Sequence, residues 1–280
     1  MASNQDSVFD QVIHTDVFTE FHLTEGPVLG TGTYGKVLLA TSNEYPNAKM
    51  AVKMFYMHGP EAGEKGQKRN EEATKMFIKE TKLMKRLKHA NIMPLLSAVQ
   101  TPSTLALFLP LCGRGNLRES IKHLTLDQQN KYIKQLCQAI QYLHQKYIVH
   151  CDIKLSNILL DDASNLILSD FGLSRALPNP NVEIFQYFGT LLYRAPETYT
   201  DERVNPFKVD MYAYGITCWS ILLKRRPARV NFVDIINADL NVSFVYKRMV
   251  TSLLVKDPVC RLTANKVLEM IEQINGHISR

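Results

Sequence analysis

No hydrophobic segment opens this sequence: Met1 to Asp10 is polar, which argues against a secretory leader. A membrane span is missing as well. The longest apolar stretch, about Met211 to Leu223, is interrupted by Ser, Thr and Gly and reads as a buried helix. The five cysteines are Cys112, Cys137, Cys151, Cys218 and Cys260, and no pair has metal-ligand spacing such as C-x-x-C. Their odd number and the polar start fit free thiols in a reducing, intracellular compartment, cytoplasm or nucleus. Aromatic residues interleaved with basic ones, which would stack single-stranded nucleic acid, are not apparent, so no nucleic-acid partner is expected. There is also no internal repeat.

What is present is an ordinary globular balance. The chain has 280 residues, 45% hydrophobic and 21% charged, enough for one large domain or two small lobes around a cleft. Its formal net charge of +6 suits acidic partners, or simply a solvated basic surface.

Residues 1 to about 20 read as a polar leader with a few apolar positions. From Phe21 the pattern is strand-like: Val28 and Leu29, a Gly-rich turn, then Val37 to Ala40. Lys49 to Phe55 is a second strand, and Leu105 to Leu109 a third. Between them, His58 to Glu72 reads as a mobile loop rich in Gly, Lys and Glu, and Ala73 to Lys88 as a helix with Phe77, Ile78, Leu83, Met84 and Leu87 at helical spacing. After Gly113 and Gly115 the chain turns helical. Asp127 to Gln145 is one helix, Asn157 to Asp170 two short strands around Asp161 to Asn165, and later helices fall near 209–223, 245–255 and 263–275. The expected class is α+β: a small strand-rich lobe to about residue 110 and a larger helical lobe from about 113.

Several segments carry chemistry. Gly30-Thr31-Gly32-Thr33-Tyr34-Gly35-Lys36-Val37 can bring backbone N–H groups close to a polyphosphate. A strand follows Gly35, where a dinucleotide-binding fingerprint would open a helix. Lys53 sits in an apolar strand, where an ammonium must either snorkel to water or be paired. Glu80, beside the apolar face of the following helix, could supply the counter-charge. His150-Cys151-Asp152-Ile153-Lys154-Leu155-Ser156-Asn157, followed by Asp170-Phe171-Gly172, sets two carboxylates, a cation and an amide at a spacing suited to metal-bound phosphate.

Together these residues resemble the eukaryotic-type protein kinase set: Gly-rich loop, strand lysine, helix glutamate, H-x-D-x-K-x-x-N loop and D-F-G. Tyr193-Arg194-Ala195-Pro196-Glu197 is similar to the element closing the activation segment. Asp210 resembles the buried aspartate that braces the catalytic loop, and Arg261 the late arginine that pairs with the closing glutamate, here Glu197. The likeness covers about residues 21 to 275. It implies a bilobal kinase-like fold over 21–280 that uses ATP and Mg²⁺ to phosphorylate Ser or Thr of protein substrates.

By that resemblance Asp152 takes or orients the substrate hydroxyl, Lys154 neutralises the moving phosphoryl group, and Asn157 and Asp170 hold Mg²⁺. Gly30, Gly32, Gly35, Lys53 and Glu80 handle the ATP phosphates. Val37, Ala51 and Leu159 sandwich adenine, Leu109 guards the back of its pocket, and the backbone of Leu111 and Cys112 pairs with it, since Pro110 has no N–H. His150, Phe171 and Gly172 are structural. Lys154 and Gly189-Thr190 match the serine/threonine pattern, with Thr190 bonding near Asp152 and Lys154. Ser156 replaces the Glu common in kinases that prefer basic substrates, and Lys224, Arg225, Arg226 and Arg229 suit acidic ones.

One departure bears on regulation. Cys151 stands where the family usually has Arg, which pairs with a phosphate on the activation segment. From Leu173 to Gly189 the only hydroxyl residues are Ser174 and Tyr187. The expectation is activity without activation-segment phosphorylation. The rival is a pseudokinase scaffold or nucleotide-binding regulatory module, against which stand Lys53, Glu80, Asp152, Lys154, Asn157 and Asp170 together.

Overall fold

Strand alternation builds one unit of the molecule and buried helices the other. The computed structural model describes residues 8–185, 189–200 and 202–278. Its described residues fall into two compact units, the first running to Lys88 and resuming over Met93–Leu111, the second comprising His89–Ile92 and the chain from Cys112.

The first unit contains β1 (Gln11–Val12), α1 (Val17–Glu20), β2 (Leu23–Gly32), β3 (Gly35–Ser42), β4 (Lys49–Tyr56), α2 (Gly63–Met84), β5 (Ser97–Gln100) and β6 (Thr104–Pro110). The strands form one sheet in the order β1-β5-β6-β4-β3-β2, with β1 parallel to β5 and the other pairs antiparallel. Its register sets the faces. Val37 pairs with Lys53 and Lys53 with Leu107; Leu39 pairs with Ala51 and Ala51 with Leu109. Paired residues share a face, as do next-but-one residues along a strand. Val37, Ala51, Lys53 and Leu109 therefore stand on one face. The opposite face carries Leu38, Val52, Met54, Ala106 and Phe108, buried in a cluster with Ile13 and Val17 from the polar leader.

Residues 58–72 are not the loop that their glycines suggest. Pro60–Ala62 is a short 3₁₀ turn, and α2 begins at Gly63, ten residues before the expected start at Ala73. Glu64, Lys65, Gln67, Lys68, Arg69, Glu71 and Glu72 are good helix formers and outweigh the interspersed glycine. Asn70 ties the preceding chain to this helix: its Oδ1 accepts the His58 N–H at 2.7 Å and its Nδ2 donates to the His58 carbonyl at 2.8 Å. At the other end α2 stops at Met84, short of the expected Lys88.

The second unit holds α3 (Leu117–Ser120), α4 (Leu126–Gln145), β7 (Ile148–Val149), β8 (Ile158–Leu160), β9 (Leu166–Leu168), β10 (Arg175–Ala176), α5 (Pro206–Leu223), α6 (Phe232–Ala238), α7 (Phe244–Leu253) and α8 (Ala264–Ile278). Thr125 and Gln128 cap α4 reciprocally, at 2.9 and 3.2 Å. Asn205 caps α5, Pro206 opens it, and almost every residue along it is buried. An apolar helix with no polar stripe becomes the core of its unit. The pairs β8–β9 and β7–β10 frame the loop between β7 and β8. Helix α6 escaped periodicity because it is only seven residues long, although Asn231 caps it through the Val233 and Asp234 N–H groups. Among the described residues no helix is long and apolar enough to cross a membrane. All five cysteines are unbridged.

Candidate active site

The sheet unit contributes an ion pair. Lys53 from β4 donates to both carboxylate oxygens of Glu80 on α2, at 2.7 and 2.9 Å. Glu80 is buried and Lys53 half-buried. A single buried carboxylate would be costly, and the bidentate ammonium contact offsets that cost. Gly30 lies opposite Val37 on the β2–β3 hairpin. A Cβ built on Gly30 meets nothing within 4 Å, so the backbone there is open to close approach. Val37 and Leu109 are half-buried on the Lys53 face, and Ala51 is buried.

The helical unit contributes a denser cluster around Asp152, in the loop between β7 and β8. Its Oδ1 accepts the Thr190 N–H at 3.2 Å and the Thr190 hydroxyl at 2.8 Å. The other oxygen, Oδ2, accepts Asn157 Nδ2 at 3.0 Å and Lys154 Nζ at 2.6 Å. Lys154 also donates to the Thr190 hydroxyl at 3.0 Å. Asn157 spends its amide protons on the Asp152 carboxylate and, at 2.9 Å, on the Asp152 carbonyl, so its carboxamide offers only its oxygen to anything else. Four donors converge on one carboxylate, which fixes its plane.

This loop is held from below by Asp210, which α5 buries almost completely. Asp210 Oδ2 accepts the His150 N–H at 2.8 Å and Oδ1 the Cys151 N–H at 2.8 Å. His144 Nε2 lies 3.2 Å from the same carboxylate. The His150 ring is fully buried. Its Nδ1 accepts the Asp152 N–H at 3.3 Å, so its Nε2 carries the proton and donates to the Ser169 carbonyl at 3.1 Å. The Phe171 ring, also fully buried, stands edge-on to it at 5.1 Å. The His150 carbonyl accepts the buried Ser174 hydroxyl at 3.1 Å. Asp170 is exposed and adopts φ +65°, a left-handed turn conformation, beside half-buried Gly172.

Cys151 is buried in an apolar cluster with Val149 and Phe207, against which Leu173 and Leu177 lie. It too is left-handed, at φ +67°. Gly189 has φ +102°, and a Cβ there would come within 3.0 Å of the Cys151 carbonyl, so a glycine is required for the segment to pass this close. Further along, Arg261 makes a bidentate pair with Glu197 at 2.6 and 3.0 Å and donates to the Lys208 and Val255 carbonyls. Tyr193 Oη accepts the Leu155 N–H at 3.3 Å, and burial pushes its phenol up to about 12.

Of the residues that the sequence suggests for adenine, Leu111 ends the first unit and Cys112 begins the second's main segment; both are half-buried, as is Leu159 on β8. Burial, reinforced by Asp161 and Asp162, pushes the Cys112 thiol up to about 11. Little thiolate exists there at neutral pH. Sequence reasoning missed His144, Ser169, Ser174 and the Tyr193 hydroxyl as supports of the loop. No local pattern marks them, because each acts through a backbone or carboxylate partner distant in sequence.

The protein kinase domain family's sequence profile matches residues 23–271. Among curated proteins, "Probable serine/threonine-protein kinase MARK-A" of Dictyostelium discoideum is 29% identical over 86% of this chain and 23% of its own length. The cell cycle serine/threonine-protein kinase CDC5/MSD2 of Saccharomyces cerevisiae is 27% identical over 72% of this chain and 31% of its own. A carbon catabolite-derepressing protein kinase of Secale cereale is 26% identical over 91% and 51%. The chain thus spans between about a quarter and a half of these relatives. A family profile covering nearly the whole chain, and a strand lysine, helix glutamate and catalytic loop in their family order, lead to one conclusion: this chain belongs to the protein kinase domain family.

Proposed function

We propose that the chain is a serine/threonine protein kinase that transfers the γ-phosphoryl group of ATP to a substrate hydroxyl. The observation that carries this reading is the Asp152 carboxylate held by Thr190, Asn157 and Lys154. A carboxylate so oriented accepts a substrate hydroxyl and aims it for in-line attack. Lys154, beside it, places positive charge where the transferred group gains electron density. The serine/threonine preference is supported by the Lys154–Thr190–Asp152 contacts and by relatives whose names say as much.

In the sheet unit, the Lys53 ammonium would grip ATP phosphates with Glu80 fixing its direction, and the open backbone at Gly30 and Gly32 would receive them. Within the sheet unit, Val37, Ala51 and Leu109 offer an apolar wall for adenine, with the backbone of Leu111 as a hydrogen-bonding edge. The Asp170 carboxylate and the Asn157 carboxamide oxygen are hard donors that suit Mg²⁺, which is commonly held by one or two carboxylates plus substrate phosphates. Bound there, the ion would neutralise phosphate charge.

Activity without phosphorylation of the segment after Gly172 is part of the same proposal. Cys151 cannot pair with a phosphate, and Leu173 and Leu177 are instead anchored by apolar contact beside it. The Ser174 hydroxyl is buried and donates inward. The segment's other hydroxyl residue, Tyr187, lies outside the described residues. The exposed run Lys224, Arg225, Arg226 and Arg229 supports acidic substrate sequences. Radiolabelled ATP with serine, threonine and tyrosine peptides in acidic and basic contexts tests the phosphotransfer and substrate readings. Labelling of Ser and Thr, preferentially in acidic context, is expected; labelling of Tyr alone, or strong preference for Arg before the target, would contradict it.

A further inference from the structure

We propose that residues Phe9–Val12 act as a strap that positions α2, and through it Glu80, so that Phe9 and Asp10 are positioning residues for nucleotide binding. The proposal rests on the reading of the chain as an ATP-dependent kinase.

One carboxylate does the tying. Asp10 Oδ1 accepts Lys85 Nζ at 2.7 Å, directly after the last turn of α2, while Oδ2 accepts the Ala98 N–H of β5 at 2.7 Å. The strap's own backbone is pinned to the same strand: the Asp10 N–H donates to the Ala98 carbonyl at 2.8 Å, and the Ile13 N–H to the Gln100 carbonyl at 2.9 Å. The sheet therefore holds Asp10, and Asp10 holds the end of α2.

Phe9 acts one step earlier along the helix. Its ring stacks on Phe77 at 5.6 Å and 17°, and Phe77 meets Phe55 edge-on at 5.5 Å and 88°. Phe55 lies two residues after Lys53 on β4, hence on the same side of the strand, and Phe77 lies three before Glu80, hence on the same side of α2. The aromatic contact and the ion pair thus join the same two elements side by side, and Lys53 Nζ stands 5.5 Å from the Phe55 ring centroid. Moving α2 away from β4 would break Lys53–Glu80, separate Phe77 from Phe55 and Phe9, and pull Lys85 off Asp10. The strap makes these contacts only when α2 is in place, so it shifts the equilibrium towards that position.

The full chain tests this through the KM and Kd for ATP, kcat and thermal midpoint of five single variants and one double variant. Asp10→Asn keeps an acceptor for the Ala98 N–H but removes the charge; Lys85→Met removes its partner. Each is expected to raise KM and Kd for ATP roughly two- to fivefold, the worth of a partly exposed pair. The two together should do no more than either alone. Phe9→Ala should raise both constants about tenfold. Lys85→Arg and Phe9→Tyr should stay near wild type. Midpoints that fall while KM and Kd stay unchanged would make the strap mere packing and overturn the proposal. A wild-type chain that neither binds ATP nor transfers phosphate would overturn the kinase reading, and the strap's role with it. Wild-type activity with insensitive variants would overturn the strap alone.

Discussion

Asp152 and Lys53 are both held by charge, yet by very different amounts of structure. Around Asp152, four donors meet one carboxylate, and a second, buried carboxylate at Asp210 fixes the backbone beneath it. Loop, α5 and the segment reaching Thr190 interlock, so moving one breaks several buried hydrogen bonds. Lys53 and Glu80 instead come from one strand and one helix, and their meeting depends on where α2 stands. The helical unit thus carries a fixed geometry and the sheet unit an adjustable one. Regulation has most leverage where a single element carries the critical group.

Substitutions can break or sharpen this contrast. The largest effect is expected for Asp152→Ala: a loss of about 10²–10⁴ in kcat with ATP affinity kept, measured by phosphotransfer and by direct nucleotide binding. Next is Arg261→Met, which leaves the largely buried Glu197 carboxylate without its cation. It should cost about 3–5 kcal/mol in denaturant unfolding, because breaking a buried pair leaves an uncompensated charge. Glu80→Gln should act differently from Asp152→Ala, raising KM for ATP by about ten- to a hundredfold while the fold survives, since a charge-assisted bond is worth about 1.5–3 kcal/mol. If Glu80→Gln were as damaging to kcat as Asp152→Ala, the division between a fixed and an adjustable half would fail. The smallest effect is expected at Cys112: alkylation at neutral pH should be slow, rise steadily with pH, and level off only near about 11.

Much of the contrast could be read in the sequence, and the unread part has physical causes. The hairpin at Gly32–Gly35, the strand with Lys53 and helix α4 follow from turn chemistry and periodicity. Asp152, Lys154 and Asn157 lie so close in sequence that their convergence was legible, as was the distant Glu197–Arg261 pair through family resemblance. The early start of α2 was not legible, because glycines at 59, 63 and 66 outweighed the helix formers between them in a local reading. The short strands β1, β5, β7 and β10 stayed hidden because two to four residues carry no periodicity, and pairing alone creates them. Phe9 and Asp10 looked like part of a polar leader. Only the sheet edge at Ala98 and the end of α2 at Lys85 give them partners.

The most direct test is the initial rate of phosphoryl transfer from ATP and Mg²⁺ to a serine peptide by chain stripped of phosphate, with mass spectrometry showing Ser174 and Tyr187 unmodified and Asp152→Ala as the control. Transfer by the stripped chain, falling at least about a hundredfold in Asp152→Ala, is the predicted result. No transfer until the segment is phosphorylated, or equal rates in the two proteins, would contradict it.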